Sequence, residues 1–478
     1  MFAVFKEQVS IDIFALDIFY VLAVICLFLV VAAFGLIDSG LVRRKNLLDT
    51  WVQKILASLF AGLAFIIVGF GIWNWQFNEA FGVANPLSEA IKSWWLGGTN
   101  MTEFAGNLDP KLVPESDVLQ IFSVFFIVYA AAMAALIHSA GLERVKAVPI
   151  YILSIAAGGI VMPFLAYLTW GSVSPLTNAG VHDYVGNFSF YIFVGVWALI
   201  LAWRAGPRLG VHTPHPGTSG PLPHNMGRTA FGVVLLMFAI PFLVLGCGYF
   251  VPGVGYFGIS VTSSGIGVVL LNIFMAFCGG AVTGAILAYW RHDAVWALLG
   301  PLAGYVSGTA GFDVFKPWEM LIVALFAPLI VFAGYKTMAK LKIDEQKVVP
   351  LALFGGIYGA IVVGFVKWHT ATGGYFGLQG KYAPGNSQIT PGWQLIGVGV
   401  AVGVAAISGL ILIVGIEKTI GLRVKEADEL EGLDSAYWGL PSAAETILPD
   451  GAPLTPAGAT GGPGGRFATA GPLESPSE

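Results

Sequence analysis

The stretch DIFALDIFYVLAVICLFLVVAAFGLIDSGLVRRKN, residues 12–46, contains the pattern that the rest of the chain repeats. Its apolar run, 12–37, is long enough to cross a bilayer as a helix, which takes about 20 residues. Arg43, Arg44 and Lys45 follow the run almost at once. An apolar helix with a basic end predicts a membrane span whose carboxyl end faces the cytoplasm.

The composition of the whole chain indicates the same class of protein. Of its 478 residues, 56% are hydrophobic and only 11% are charged. A soluble domain needs more charge to cover its surface, so the long apolar runs predict an all-α polytopic membrane protein. The sequence contains eleven such runs, at 12–37, 54–75, 117–140, 148–171, 185–204, 229–252, 258–290, 294–310, 317–338, 349–366 and 393–417.

The basic residues predict how these spans are oriented. With the amino terminus outside, 18 of the 24 lysines and arginines fall on the cytoplasmic side and six fall outside. Cytoplasmic loops carry the excess of basic residues, so we expect the amino terminus outside and the carboxyl terminus inside. Lys6 and Glu7 do not form the basic leader of a cleaved signal peptide. We therefore expect the first span to be retained, and the protein to lie in the cell inner membrane or plasma membrane.

The chain divides into four predicted regions. Residues 1–11 form an extracellular amino terminus, and 12–417 form the membrane domain. Residues 418–449 form a cytoplasmic carboxyl-terminal segment. The last region, 450–478, consists mostly of Gly, Pro, Ala, Ser and Thr, which cannot bury a core, and is predicted to be disordered.

Motifs for catalysis and cofactor binding are missing from the sequence. The three cysteines, Cys26, Cys247 and Cys278, all lie within predicted spans and have neither metal-ligand spacing nor the arrangement of a disulfide framework. The chain has no catalytic-triad spacing and no phosphate-binding loop. We therefore expect no enzyme activity, no metal, no cofactor and no nucleic-acid partner.

Short motifs in a fixed order resemble the ammonium transporter/Rhesus family. They are GLVRRKN (40–46), GLER (141–144), DYVG (183–186), PHN (223–225), KID (342–344), GGIYG (355–359), GLRV (421–424) and EGLD (431–434). The resemblance implies eleven helices, arranged as two inverted five-helix repeats plus a final helix, and a homotrimer with one pore in each subunit. In such repeats, binding groups lie near the midplane at the repeat interface.

Two pairs of glycines predict close helix packing. Gly300 and Gly304 lie four residues apart, as do Gly355 and Gly359. Small residues at this spacing let the backbones of membrane helices approach each other. Such pairs are common in polytopic proteins, so they support only the assignment to this class of membrane protein.

The resemblance places an outer substrate vestibule on five residues. The family's pore phenylalanines fall on Phe125 and Tyr129, its cage tryptophan on Trp170, its second gate phenylalanine on Leu243 and its cage serine on Cys247. An aromatic face can hold ammonium by cation–π attraction, of order 1–2 kcal/mol when desolvated. Plain packing or anchoring at the membrane interface is the alternative for the aromatic residues.

The central pore departs from the family. Asp183, a carboxylate with a structural capping role in the family, is followed eight residues later by Tyr191, where the first of two paired histidines is expected. The second falls on Ala352, with Leu351 or Leu353 as alternatives. An alanine and a phenol cannot pass protons near neutral pH as two imidazoles can. The alternative for Tyr191 is a packed ring whose hydroxyl bonds to a neighbouring carbonyl.

The seven histidines of the chain do not restore such a pair. His138 is the one that lies within a predicted span, where a hydrogen bond to a neighbouring helix is the alternative to a relay role. His182 and His369 are predicted at the outer surface, and the others lie in cytoplasmic loops.

Two functions fit these patterns. The first is an ammonium/ammonia channel-like transporter whose central pore is altered at Tyr191 and Ala352. The alternative is a non-conducting member of the family that acts as an ammonium sensor or as a scaffold subunit beside other membrane subunits. Trp438-Gly439 stands where the family has His-Gly after EGLD, which leaves a partnership with a PII-type regulator open.

Overall fold

The computed structural model describes residues 11–95, 98, 116–218, 220–251, 254–262 and 264–440. Within this part of the chain, ten helices are long and apolar enough to cross a membrane, and a further apolar helix, Val295–Gly308, is shorter. The protein is therefore a multi-pass membrane protein. The predicted disordered tail, 450–478, and all but the last residue of the predicted amino-terminal segment, 1–11, lie outside the described residues.

Besides two single 3-10 turns at Thr177–Ala179 and Gly380–Tyr382, fourteen helices of six or more residues are described in chain order. They are α1 (Ile11–Leu41), α2 (Arg44–Ala80), α3 (Pro86–Trp94), α4 (Ser116–Ser139), α5 (Ala147–Thr169), α6 (Asn187–Ala205), α7 (Met226–Leu245), α8 (Ile266–Arg291), α9 (Val295–Gly308), α10 (Pro317–Lys340), α11 (Val349–Val366), α12 (Pro391–Thr419), α13 (Glu426–Glu431) and α14 (Leu433–Trp438). We call the side on which α1 ends the inner side, and the side on which α6 begins the outer side.

The described residues are mostly helical, as predicted, with two short antiparallel sheets between the helices. The sheets are β1 (Gly248–Val251) with β2 (Gly255–Gly258), and β3 (Ala371–Thr372) with β4 (Ser387–Gln388). The predicted spans 229–252 and 258–290 therefore extend too far, because α7 ends at Leu245 and α8 begins at Ile266. Apolar content alone misled the prediction, because aromatic residues favour strands as well as apolar helices. Gly255, with φ of 135°, begins β2 opposite Val251.

The second span is longer than the predicted run 54–75, since α2 covers Arg44–Ala80. The polar residues near its start are accommodated by partners. Lys54 pairs with Asp38 at 2.7 Å, and Asp49 accepts a hydrogen bond from the Gln53 side chain at 2.7 Å. Buried charges are tolerated in a membrane helix when they are paired in this way.

Glycines set the closest helix contacts in the second half of the bundle. A Cβ atom at Gly304 of α9 would lie 2.0 Å from the carbonyl oxygen of Ala276 in α8. A Cβ atom at Gly359 of α11 would lie 2.5 Å from the carbonyl oxygen of Ser307 in α9. Both glycines belong to pairs that the sequence places at small-residue spacing, and here they let three helices pack backbone to backbone.

Candidate functional site

The two central positions of the predicted pore lie on matching irregularities. Tyr191 belongs to a π-helical turn, Asn187–Ile192, that opens α6. Ala352 belongs to a second π-helical turn, Val349–Phe354, that opens α11. The two turns contact each other inside the bundle. Such turns are rare and are frequent at functional sites, because they redirect side chains without ending the helix.

A buried carboxylate caps each of these turns. Asp183 accepts hydrogen bonds from the backbone N–H groups of Asn187 at 2.7 Å and Phe188 at 3.1 Å. Glu345 accepts hydrogen bonds from the backbone N–H groups of Val348 at 2.8 Å and Val349 at 2.5 Å. Burial raises the pKa of Asp183 to about 7, while its amide partners act in the opposite direction. Free N–H groups at a helix start favour a carboxylate there.

An internal cavity of about 390 Å³ connects the inner side to both central positions. We call it the chamber. It begins at inner loops, where Arg208, Pro223 and Asp293 line it, and it reaches Tyr191 and Ala352 in the middle of the bundle. Much of its wall is apolar and includes Leu27, Val30, Leu136, Leu236, Ile240 and Leu302. A pocket of this size and character is typical of small-molecule sites.

The far end of the chamber is closed by aromatic side chains. We call this group the aromatic layer, made of Tyr129, Trp170, Phe190, Tyr191 and Tyr305. Ring centroids are 4.8 Å apart between Tyr129 and Trp170, 4.9 Å between Tyr129 and Phe190, and 4.8 Å between Phe190 and Tyr191. Tyr191 and Tyr305 meet edge to face at 6.1 Å. None of the five is more than 8% exposed.

Hydrogen bonds fix the outer part of this layer. The Tyr129 hydroxyl donates to the carbonyl of Val185, and the Trp170 indole N–H donates to the carbonyl of Tyr184 at 3.0 Å. Both carbonyls belong to the DYVG stretch that leads into α6. The loop before α6 therefore holds two aromatic rings over the closed end of the chamber.

Of the remaining predicted vestibule residues, one lines the chamber and two are packed beside it. Leu243 lines the chamber. Phe125 is fully buried 6.1 Å from Tyr129, and its ring packs on Gly246. Cys247 is buried, and its thiol donates to the carbonyl of Leu243 at 3.4 Å. The structure thus places Leu243 and Tyr129 on the chamber, while Phe125 and Cys247 lie in packed surroundings beside it.

The three candidates for the second central position, Leu351, Ala352 and Leu353, lie in different surroundings. Ala352 and Leu351 both line the chamber. Leu353 packs against α6, because a Cβ atom at Gly195 would lie 2.5 Å from the Leu353 nitrogen. None of the three presents a polar side chain. Tyr191 has another phenol as its polar neighbour, the hydroxyl of Tyr305, rather than a backbone carbonyl.

An ion cluster lies beside the inner half of the chamber. Asp38 bonds to Lys54 at 2.7 Å, to the Ser139 hydroxyl at 2.5 Å and to Lys347. These residues tie α1, α2 and α4 to the start of α11. His138 is buried next to this cluster, and its Nδ1 has no hydrogen-bond partner in the part of the chain that the structure describes.

His182, which the sequence predicts at the outer surface, is fully buried. Its ring contacts Asp313 at 2.9 Å and the Thr372 hydroxyl at 3.0 Å, and its backbone N–H donates to the Gln394 side chain. This correction has a simple cause. The loop before α6 is folded between α9 and the strand β3, so a polar segment lies inside the protein and has all its partners there.

The sequence pattern of the Ammonium Transporter Family matches residues 18–442. This chain belongs to the Ammonium Transporter Family. The match includes the aromatic layer, the chamber, both capped turns and the helices on the inner side. The comparison therefore agrees with the motifs in the sequence and makes this an ammonium-transporter-family membrane protein.

Relatives in the family resemble the chain over most of its length. The ammonium transporter Amt1 of Methanocaldococcus jannaschii is 29% identical over 435 residues, which are 90% of this chain and 96% of that protein. The ammonium transporter Amt2 of Archaeoglobus fulgidus is 26% identical over 88% of this chain and 87% of its own length. The family resemblance thus extends across the membrane domain.

Solved structures show the same fold. A protein described as a sensor Amt protein superposes with a TM-score of 0.69 at 22% identity, covering 89% of this chain and 99% of that chain. Mep2 of Saccharomyces cerevisiae superposes with a TM-score of 0.65 at 19% identity, covering 88% of this chain and 92% of that chain. At these identities, the structural likeness establishes the fold of this family member.

The carboxyl-terminal segment of this family member packs against its inner loops. Glu429 receives hydrogen bonds from the Leu209 backbone N–H and from Arg423, both at 2.7 Å. Asp434 accepts from the backbone N–H groups of Leu48 and Asp49 at 3.0 and 2.8 Å. Hydrogen bonds therefore hold the described part of this segment, as far as Leu440, against the inner loops.

Glu143 lies at the centre of this inner network. It contacts Arg43 at 2.9 Å, Arg208 at 2.9 Å and the Asn46 side chain at 2.6 Å. Burial alone would raise the pKa of Glu143, but Arg208 and Arg43 outweigh that effect and hold its pKa at about 2. The motifs GLVRRKN and GLER thus meet in three dimensions, although 100 residues separate Arg43 from Glu143.

The sequence analysis missed two residues of the aromatic layer, Phe190 and Tyr305. Tyr305 lines the chamber, lies in the aromatic layer and comes from α9, where the Gly300/Gly304 pair was the one pattern recognised. One signal was available, since it directly follows Gly304 and therefore lies where α8 and α9 approach most closely. Within the described residues, no group of three or more His, Cys, Asp or Glu side chains is arranged to hold a metal ion.

Proposed function

We propose that this protein is an ammonium/ammonia channel-like transporter whose central pore is built from Tyr191 and Ala352 in place of paired imidazoles. Family membership supports the substrate class. The observation that carries the proposal is the chamber, because one continuous cavity is lined by Tyr191, Ala352, Tyr129 and Leu243. A cavity that ends at the predicted pore positions provides half of a path across the membrane.

The aromatic layer would then be the gate of the path. Phe125, Tyr129, Trp170, Leu243 and Cys247 would form the outer vestibule, and Asp183 would hold the loop that carries two of the gate's hydrogen bonds. With phenols and an alanine at the centre, neutral ammonia is the species that fits the lumen. A bare cation would lose its hydration without a counter-charge in an apolar tube. Permeation therefore requires the rings of the layer to move aside.

The architecture that we propose has eleven spans, with Val295–Gly308 as the shortest. The capped π-helical turns of α6 and α11 support two inverted repeats, because one turn opens on the outer side and its counterpart opens on the inner side. The distribution of basic residues supports an outside amino terminus and a cytoplasmic inner side in the plasma membrane. By family resemblance we propose a homotrimer. A PII-type regulator or other membrane subunits would meet its inner face.

The closed aromatic layer also favours a second candidate. The rings of Tyr129, Phe190 and Tyr191 are buried and in contact, and together they separate the chamber from the outer side. If this arrangement is permanent, the protein does not conduct and acts as an ammonium sensor or as a scaffold subunit in a membrane complex. The chamber would then be a closed cavity that opens only to the inner side.

Flux through purified protein in liposomes separates the two candidates. We expect an ammonium gradient to change the internal pH faster in protein-containing vesicles than in empty ones. A matched gradient of potassium chloride serves as the control for leakage. Equal rates in the two kinds of vesicle would overturn the channel proposal and leave the non-conducting candidate.

A paired substitution tests the altered pore. Tyr191→His together with Ala352→His restores two imidazoles at the central positions, and we expect faster ammonium-dependent flux because a titrating pair can pass protons near neutral pH. Leu353→His in place of Ala352→His is the matched control, since Leu353 packs on α6 rather than lining the chamber. Equal flux from the two double variants would show that the central positions do not limit transport.

A further inference from the structure

The closed end of the chamber holds two phenol groups from different halves of the bundle. Tyr191 comes from the π-helical turn of α6, and Tyr305 comes from α9. Their rings meet edge to face with centroids 6.1 Å apart, and both side chains line the chamber. Each hydroxyl can donate one hydrogen bond and accept others.

The Tyr305 hydroxyl is buried and lacks a hydrogen-bond partner among the described residues. Its polar neighbour is the side chain of Tyr191, the other phenol at this end of the chamber. The side chain of Tyr305 is only 3% exposed. A buried hydroxyl without a partner is destabilising, so such a group at the end of a cavity points to a missing ligand atom.

The surroundings of the two hydroxyls select the kind of ligand. Leu243, Phe190, Ala352 and Val306 line the same end of the chamber. The carboxylates on its wall, Asp38, Asp293, Asp344 and Glu345, belong to the inner half. A cation at the closed end would be desolvated without a counter-charge, whereas a small neutral molecule that both donates and accepts hydrogen bonds would satisfy both phenols.

We propose that Tyr305 and Tyr191 form a binding site for a small neutral amine, ammonia in the first instance, at the closed end of the chamber. The Tyr305 hydroxyl donates to the nitrogen lone pair, and an N–H of the ligand donates to the Tyr191 oxygen. No proton is transferred between the ligand and the phenols in this arrangement. The assignment to ammonia rests on the proposed ammonium transport, and the site adds to it a residue, Tyr305, that selects the neutral form.

High-resolution maps of the full-length protein in nanodiscs test the site directly. The probe is methylammonium chloride, whose methyl group distinguishes methylamine from water. At alkaline pH, where more of the probe is neutral, we expect density for it between the two hydroxyls, and weaker density at acidic pH. No density within hydrogen-bond distance of the Tyr305 hydroxyl overturns the site. Density that is the same with and without methylammonium chloride belongs to water, and this result overturns the assignment to an amine.

Variants that lose one oxygen each sharpen the test. Tyr305→Phe and Tyr191→Phe keep the ring packing and should abolish the probe density. Tyr335→Phe is the matched control, because Tyr335 lines the same chamber but packs on Trp296, away from the aromatic layer. Probe density that persists in Tyr305→Phe, or that is lost equally in Tyr335→Phe, overturns the site.

Flux measurements separate this site from the proposed function. If the wild-type protein conducts, we expect Tyr305→Phe to reduce ammonium-dependent flux roughly three- to tenfold, the effect of one hydrogen bond. Unchanged flux in that variant overturns the role of Tyr305 in transport. If the wild type shows probe density but no flux, the transport proposal fails and the site stands as the sensing pocket of a non-conducting protein.

Discussion

At Gly304 the packing of α9 against α8 leaves no room for a side chain. A Cβ atom there would lie 2.0 Å from the carbonyl oxygen of Ala276, so Gly304→Ala forces α8 and α9 apart. We expect a loss of stability of about 1–3 kcal/mol, the usual effect of overpacking. Because Tyr305 is the next residue, the aromatic layer should be disturbed as well. Thermal unfolding of the purified protein measures the loss.

Gly399 of α12 is the control for this substitution. A Cβ atom at Gly399 meets nothing within 4 Å. Gly399→Ala should therefore leave stability unchanged or raise it by up to about 1 kcal/mol, because alanine is the better helix former. Equal melting temperatures for the two alanine variants would contradict the close contact at Gly304.

The sequence allowed some residues of the site to be found and hid others. Tyr191 could be located by counting eight residues from Asp183, and Ala352 by counting back from GGIYG. Tyr305 was not located, because the Gly300/Gly304 spacing predicts a close approach of α9 to a neighbouring helix but not which side chains of α9 reach the chamber. A single aromatic residue in an apolar helix looks the same in a packed core and at the end of a cavity.

At the scale of single elements, the cap of α6 is the feature that most directly shapes the site. Asp183→Ala removes acceptors for two backbone N–H groups, those of Asn187 and Phe188. We expect a loss of about 1–2 kcal/mol and faster amide exchange in the π-helical turn that carries Tyr191. Hydrogen–deuterium exchange over residues 187–192 measures the local effect.

The cap of α7 offers a matched comparison. Asn225 caps that helix through one exposed hydrogen bond, at 3.0 Å to the Arg228 backbone N–H. Asn225→Ala should lower stability less, by about 0.5–1 kcal/mol, and leave exchange over 187–192 unchanged. Faster exchange in that turn in both variants would show general loosening of the fold rather than loss of the Asp183 cap.

Elements differ in how much of their form the sequence reveals. Apolar runs located the spanning helices, since burial in lipid leaves an unmistakable composition. The π-helical turns remained hidden, because one extra residue in a turn does not change the apolar content. The β1–β2 hairpin was mistaken for the ends of two spans, because Gly-Tyr-Phe sequences are apolar in either structure.

The whole molecule depends on the inner network that joins its first helices to its carboxyl-terminal segment. Glu143 pairs with Arg43 and Arg208, and Arg43 also approaches Glu429 at 3.8 Å. Glu143→Gln removes the carboxylate shared by the buried guanidinium of Arg43 and the half-buried guanidinium of Arg208, although Arg208 keeps its pair with Asp344. We expect a loss of about 3–5 kcal/mol at neutral pH, the usual effect of breaking a buried ion pair. Glu89→Gln is the control, since its pair with Lys92 is exposed and worth at most about 1 kcal/mol.

The pH dependence of this difference identifies its electrostatic origin. The arginines hold the pKa of Glu143 at about 2 in the folded protein, below its ordinary value of 4.5. The unfolded chain therefore binds the proton more readily, so the stabilisation is complete above pH 4.5 and is lost as the pH falls towards 2. The melting-temperature gap between wild type and Glu143→Gln should narrow over that window, while the gap to Glu89→Gln stays small. A gap that stays constant down to the lowest pH at which the protein remains folded would mean that packing, rather than the charge of Glu143, joins the two ends of the chain.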